Sequence, residues 1–186
     1  MNDAHQLKRL TLWNRIQAEL GLNKDTDFLT SLKTNKGNTQ SSERSLIGYI
    51  RDRLTEMSLS FEEAPSQQSK DFRNVGGIGL DIEVKKTDSY NVIFNDTCPN
   101  ADIHYIIVFT GKEYKTKQSI PPAVLYVNGS TFIDDSPWIL EYTAAIEKLR
   151  DEFARGKGRQ SLPGRMSVYP RPTYTASIKD LLPRLE

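Results

Sequence analysis

Cysteine is almost absent: Cys98 stands alone among 186 residues, which excludes an internal disulfide and a cysteine-based metal cluster. No histidine accompanies it in a pattern suited to thiol catalysis, and Cys98 reads as an ordinary thiol. Long hydrophobic runs are missing too. The longest, Ile103 to Phe109, is interrupted by His104 and falls far short of the roughly 20 residues that cross a bilayer, so no membrane span is expected. The first residues, Met1 to Arg9, lack the apolar core and small-residue cleavage site of a secretory signal, and a cytoplasmic location is expected. Charge of one sign is also lacking. With 25 Lys plus Arg against 24 Asp plus Glu, the formal net charge is +1, so any site for a polyanion must be local. There is no nucleotide-binding glycine signature, serine nucleophile elbow or zinc-ligand spacing, and no nucleotide cofactor is expected.

What is present is 37% hydrophobic and 26% charged, the proportions of one globular domain over residues 1–186. Leu7, Leu10, Leu12, Trp13, Ile16 and Leu20, with Gly21 beyond them, predict an amphipathic helix over 7–20. A second helix is predicted over 43–57 from Leu46, Ile47, Ile50, Leu54 and Met57, with Ser41 or Ser42 as its cap. The period then changes. Turn-forming clusters at 64–69, 75–79, 97–100 and 111–118 separate candidate strands at 80–85, 91–94, 103–109 and 123–127, and the continuous apolar runs among them predict strands buried on both faces. A helical period returns over 138–153, and 166–169 is a candidate late strand. Helices, then strands, then a helix predict an α/β (α+β) domain whose central mixed sheet is flanked by helices.

The most informative segment is Leu80-Asp81-Ile82-Glu83-Val84-Lys85. Period two puts the apolar residues on one face and acid, acid and lysine on the other. Either that face is solvated, or its charges serve a ligand, because neighbouring carboxylates repel and a hard divalent cation relieves the repulsion. Asp71 lies upstream, and the turn Gly76-Gly77-Ile78-Gly79 can fold it back beside the strand. A second acid-x-Lys tripeptide, Glu113-Tyr114-Lys115, sits in a polar stretch without apolar alternation and reads as a solvated turn.

Asp71 followed by Glu83-Val84-Lys85 resembles the active-site signature of the PD-(D/E)xK nucleases, the superfamily that holds most type II restriction endonucleases. The resemblance covers about 43–109 and implies the restriction-endonuclease-like fold. It implies that Asp71 and Glu83 bind Mg2+ and that Lys85 positions or activates the attacking water. Lys70 stands where the family name places proline, and Asp81, on the face of Glu83, is a rival for the first acid. Glu43, on the helical stripe of Ile47 and Ile50, is similar to the helix-borne glutamate that many of these nucleases direct toward the metal, although an acid in a first helical turn is also favoured by the helix dipole. Asn95 and Asp96 follow the next strand, as base-reading loop residues do in several restriction enzymes, though Asn-Asp-Thr is also ordinary turn chemistry. Arg155, Lys157, Arg159, Arg165 and Arg171 occur with no acid between 153 and 179, a locally basic stretch suited to phosphates, in which Arg165 and Arg171 are candidate DNA contacts. The implied activity is magnesium-dependent, sequence-specific hydrolysis of double-stranded DNA by a homodimer, with helices 7–20 and 138–153 as candidate interface elements. The alternatives are a structure-specific or repair nuclease of the same superfamily and a non-catalytic DNA-binding module. His104 reads as a satisfied core or edge histidine.

Overall fold

The computed structural model describes residues 3–33, 39–63, 70–95, 98–112, 120–133, 138–149, 151–152 and 173–182. Apolar residues at three- and four-residue spacing bury one stripe of each long N-terminal helix. In α1 (Asp3–Glu19), Trp13 and Ile16 are buried, as is Leu20 just beyond, whereas Leu7 and Leu10 of the same pattern are exposed. Asp25 caps a short helix, α2 (Thr26–Ser31), by accepting the Phe28 N–H at 3.0 Å. In α3 (Thr39–Glu56), Leu46, Ile50 and Leu54 are buried. This helix starts earlier than expected, so Ser41 and Ser42 lie within it and do not cap it.

Seven strands follow among the described residues: β1 (Glu62–Glu63), β2 (Phe72–Val75), β3 (Leu80–Thr87), β4 (Asn91–Asn95), β5 (Ile103–Phe109), β6 (Ala123–Asn128) and β7 (Thr173–Ser177). The main sheet has the order β1-β2-β3-β5-β6, with β3 and β5 parallel and the other pairs antiparallel. It is a mixed α/β assembly. One sheet face, carrying Phe72, Leu80, Ile82, Ile106 and Val108, packs on Trp13, Ile16, Leu46, Ile50 and Leu54 of the helices. The opposite face, carrying Tyr105, Ile107, Phe109 and Leu125, packs on Val92, Phe94, Ala176 and Ile178. Because β5 serves both cores, all its residues are buried, as its nearly continuous apolar run predicts.

The mixed sheet with helices agrees with the expected α+β class, and the helices pack on its first face. A separate antiparallel ribbon of β4 and β7 covers the second face, and α4 (Trp138–Leu149) leaves Trp138, Leu140 and Leu149 exposed. The strand run at 123–127 is only half-buried apart from Leu125, because β6 is an edge of the sheet. The candidate strand at 166–169 and the tripeptide at 113–115 lie outside the described residues.

The β2–β3 turn is built for glycine. Gly76 has φ +69°, and a Cβ there would stand 2.6 Å from Leu12 Cδ2. Asn74, itself at φ 50°, ties the turn by accepting the Gly79 N–H at 2.8 Å, and Asp81 accepts the Asn74 N–H at 3.0 Å. Gly76→Ala is therefore expected to cost about 1–2 kcal/mol from left-handed backbone alone, with an additional cost for moving Leu12. A chemical denaturation curve unchanged in midpoint would contradict this.

Candidate active site

β2 pairs with β3 only as far as Phe72↔Ile82, so the second half of β3 extends past its neighbour on that side. Asp71, the residue before β2, closes the ladder. Its N–H donates to the Ile82 carbonyl at 3.1 Å, and its Oδ2 accepts the Val84 N–H at 2.7 Å. The glycine turn thus brings Asp71 beside the middle of β3. Beyond it opens a cleft of about 470 Å³, lined by Asp71, Glu83 and Lys85, by Glu43 from α3, and by Asn91 and Ile93 from β4.

The wall formed by β4 is held in place by a polar turn. Thr87 Oγ1 donates to the Asn91 carbonyl at 2.7 Å, and the Asn91 N–H donates to Ser89 Oγ at 3.1 Å. Thr110 Oγ1 anchors the same turn from β5's end by donating to Asp88. These bonds keep β4 at the mouth of the cleft while its Phe94 packs edge-on to Tyr105.

Glu83 is buried, at 6% exposure, which removes the solvated-face reading for this residue. Lys85 pairs with its Oε1 at 2.5 Å, while Oε2 is buried without a hydrogen-bond partner. An orphaned carboxylate oxygen is costly, and the described residues supply no donor for it. Burial pushes the Glu83 carboxyl above its ordinary pKa, Lys85 opposes this, and the nearby Asp71 charge adds to the rise. Asp71 is raised likewise, first by burial, against the Val84 N–H and Lys85, with Glu43 adding to the rise. Three acids and one ammonium therefore share one electrostatic neighbourhood, in which each carboxylate makes the next harder to ionise.

Asp81, the rival first acid, is otherwise engaged. It is ion-paired to Lys70 and accepts the Asn74 N–H, and although burial opposes them these partners hold its carboxyl below the ordinary value. It does not line the cleft. Glu43 lines the cleft, with an exposed side chain. Asn95 ends β4, and Asp96, Arg165 and Arg171 lie outside the described residues. His104 is buried against Trp13, with ring centroids 4.7 Å apart, but its Nδ1 has no hydrogen-bond partner, so it is not the satisfied histidine expected.

Sequence reading missed Lys86 as a cleft residue. Strand alternation assigns it to the helix-facing side, yet the overhang of β3 lets both Lys85 and Lys86 line the cleft, with Lys86 ion-paired to Asp88 at 3.2 Å. Asn91 and Ile93 were legible as the outward residues of an alternating strand whose inward residues are Val92 and Phe94.

Among the described residues, no three His, Cys, Asp or Glu side chains form a preformed metal cage. Magnesium does not require one, since it commonly takes one or two carboxylates and completes its shell with water and substrate phosphate. Two hard-oxygen acids, one of them with a buried and unpartnered oxygen, fit that demand. Comparison with protein-family models, with curated proteins and with solved structures gives no match for this chain.

Proposed function

We propose that the protein is a type II restriction endonuclease of the PD-(D/E)xK kind, which hydrolyses phosphodiester bonds of double-stranded DNA with Mg2+. The observation that carries this reading is the convergence of Asp71, Glu83 and Lys85 on one cleft, with Glu83 Oε2 buried and unpartnered. Asp71 and Glu83 would hold the metal. When bound, magnesium neutralises phosphate charge and lowers the pKa of a water. Lys85 is poised on the same strand face to hold that water or the phosphate by its ammonium, which Glu83 and the ring of Phe94, 5.7 Å away, keep in position. The buried setting strengthens each of these charge interactions relative to water.

Cutting both strands of a duplex from one active site per chain is served by a two-fold dimer. Leu7 and Leu10 on α1 and Trp138 and Leu140 on α4 are exposed apolar residues that a second copy could cover. A restriction role fits a cytoplasmic protein, and no described helix is long and apolar enough to cross a membrane.

The test is a digest of unmethylated bacteriophage DNA by the purified protein with and without magnesium, beside Glu83→Ala and Lys85→Ala. Discrete fragments that need magnesium and vanish in both variants are expected. A smear would point to a nuclease without sequence selection. No cleavage by any of the three proteins, in magnesium or manganese, would sink the enzymatic reading and leave a DNA-binding module.

A further inference from the structure

β4 and β7 form a two-stranded antiparallel ribbon in which Val92 pairs with Ala176 and Phe94 with Tyr174 on the inward side. Val92, Phe94 and Ala176 are buried in the second core. Period two then turns the alternate pairs outward: Asn91 opposite Ser177, and Ile93 opposite Thr175. Asn91, Thr175 and Ser177 are exposed, and Ile93 is 50% exposed among them. Asparagine is disfavoured in strands, so sheet formation does not explain the exposed amide of Asn91. The surface is a row of short hydrogen-bonding groups around one apolar side chain, and none of its outward positions is a carboxylate.

We propose that this outward face reads base edges in the major groove of duplex DNA, with Thr175 and Ser177 of β7 completing a surface begun by Asn91 and Ile93 of β4. The inference rests on the proposed duplex substrate and specifies what selects it. The major groove, about 12 Å wide, admits a two-stranded ribbon. An asparagine amide can donate to and accept from adenine, hydroxyls serve either role, and an aliphatic side chain suits the thymine methyl. Continuity supports this occupant, because Asn91 and Ile93 also line the cleft that holds Asp71 and Glu83. A phosphodiester seated in that cleft brings its neighbouring bases against the ribbon.

The experiment is enrichment of bound duplexes from a random-sequence library, with chelator present to hold back cleavage, for the wild type, Thr175→Ala/Ser177→Ala and Ile93→Ala. The positions are exposed, and thermal melting checks that each variant is folded. The wild type is expected to enrich a short motif. The double variant should lose discrimination at adjacent positions by roughly 5- to 150-fold per base pair, and Ile93→Ala should lose it at a thymine. A variant motif identical to wild type, or no motif for wild type, overturns the proposal. A parallel magnesium digest separates this from the enzymatic reading. Wild type that cuts duplex at random sites overturns the ribbon alone, and wild type that enriches a motif but never cuts supports the ribbon and overturns the nuclease.

Discussion

Asp71→Asn is expected to cut DNA about 10³-fold more slowly than wild type while folding at least as stably, whereas Asp71→Ala is equally inactive and about 1–3 kcal/mol less stable. The two outcomes separate two uses of one carboxylate. Asp71 Oδ2 accepts the Val84 N–H at 2.7 Å, which is the bond that continues the β2–β3 ladder past Phe72. An asparagine keeps a carbonyl oxygen for that N–H but no longer offers a charged oxygen to a metal. Alanine leaves the N–H without an acceptor.

The pH dependence follows the same logic. Burial raises the folded pKa of Asp71 and of Glu83, so the folded chain binds protons more tightly than the unfolded one. Metal-free stability must then fall as pH rises from the ordinary carboxylate range through the raised values, and the cost is fully present above them. Asp71→Asn removes its share of that decline. Equal stability of the asparagine and alanine variants would show that the Val84 bond contributes nothing, and full activity of Asp71→Asn would remove Asp71 from the site.

How much of this was legible in the sequence depended on whether the signal was local. The alternation over 80–85 is a property of β3 itself, and it put Asp81, Glu83 and Lys85 on one face before any neighbour was known. The nearly continuous apolar run over 103–109 likewise announced a strand buried on both sides. What alternation could not supply was depth. Glu83 is buried because β3 lies inside the sheet, paired with β5 along this stretch and met on its other side by Asp71, and only the sheet order and register show that. The same order explains why Asp81 is taken up by Lys70 while Asp71, outside any regular strand, reaches the cleft.

β7 was missed for a related reason. Its inward residues are only Tyr174 and Ala176, too small a set to show a period, and its partner β4 is distant in the chain. The coverage of the second face by a ribbon was unreadable as a consequence. α2 is too short to show an amphipathic stripe, and Asp25, its capping acid, was the available signal.

His104→Phe is expected to flatten the acid limb of the stability curve. Wild-type His104 is held to a pKa of about 4 against an ordinary 6.5, first by burial and then by the Arg9 guanidinium. Its unfolded form takes up a proton near pH 6.5, while the folded form must wait for about pH 4. Stability is therefore fully present above 6.5 and lost as pH falls through that window, by about 3 kcal/mol when complete. This runs opposite to Asp71 and Glu83, whose raised values make acid conditions stabilising, so the measurement is the difference between wild type and variant. Urea unfolding at pH 7.5 and pH 4.5 should show wild type losing roughly 2 kcal/mol more than His104→Phe between the two. Phenylalanine keeps an aromatic ring beside Trp13 and removes the unpartnered Nδ1. Arg9→Met supplies a second arm, since loss of the nearby cation should let the His104 pKa rise and narrow the window. Parallel curves for wild type and both variants would mean that His104 already takes a proton in the folded state. The location gives the titration its reach. His104 pairs with Ile82 on β3, one position before Glu83, so a charge forced into that rung of the sheet loosens the strand on which the candidate site is built.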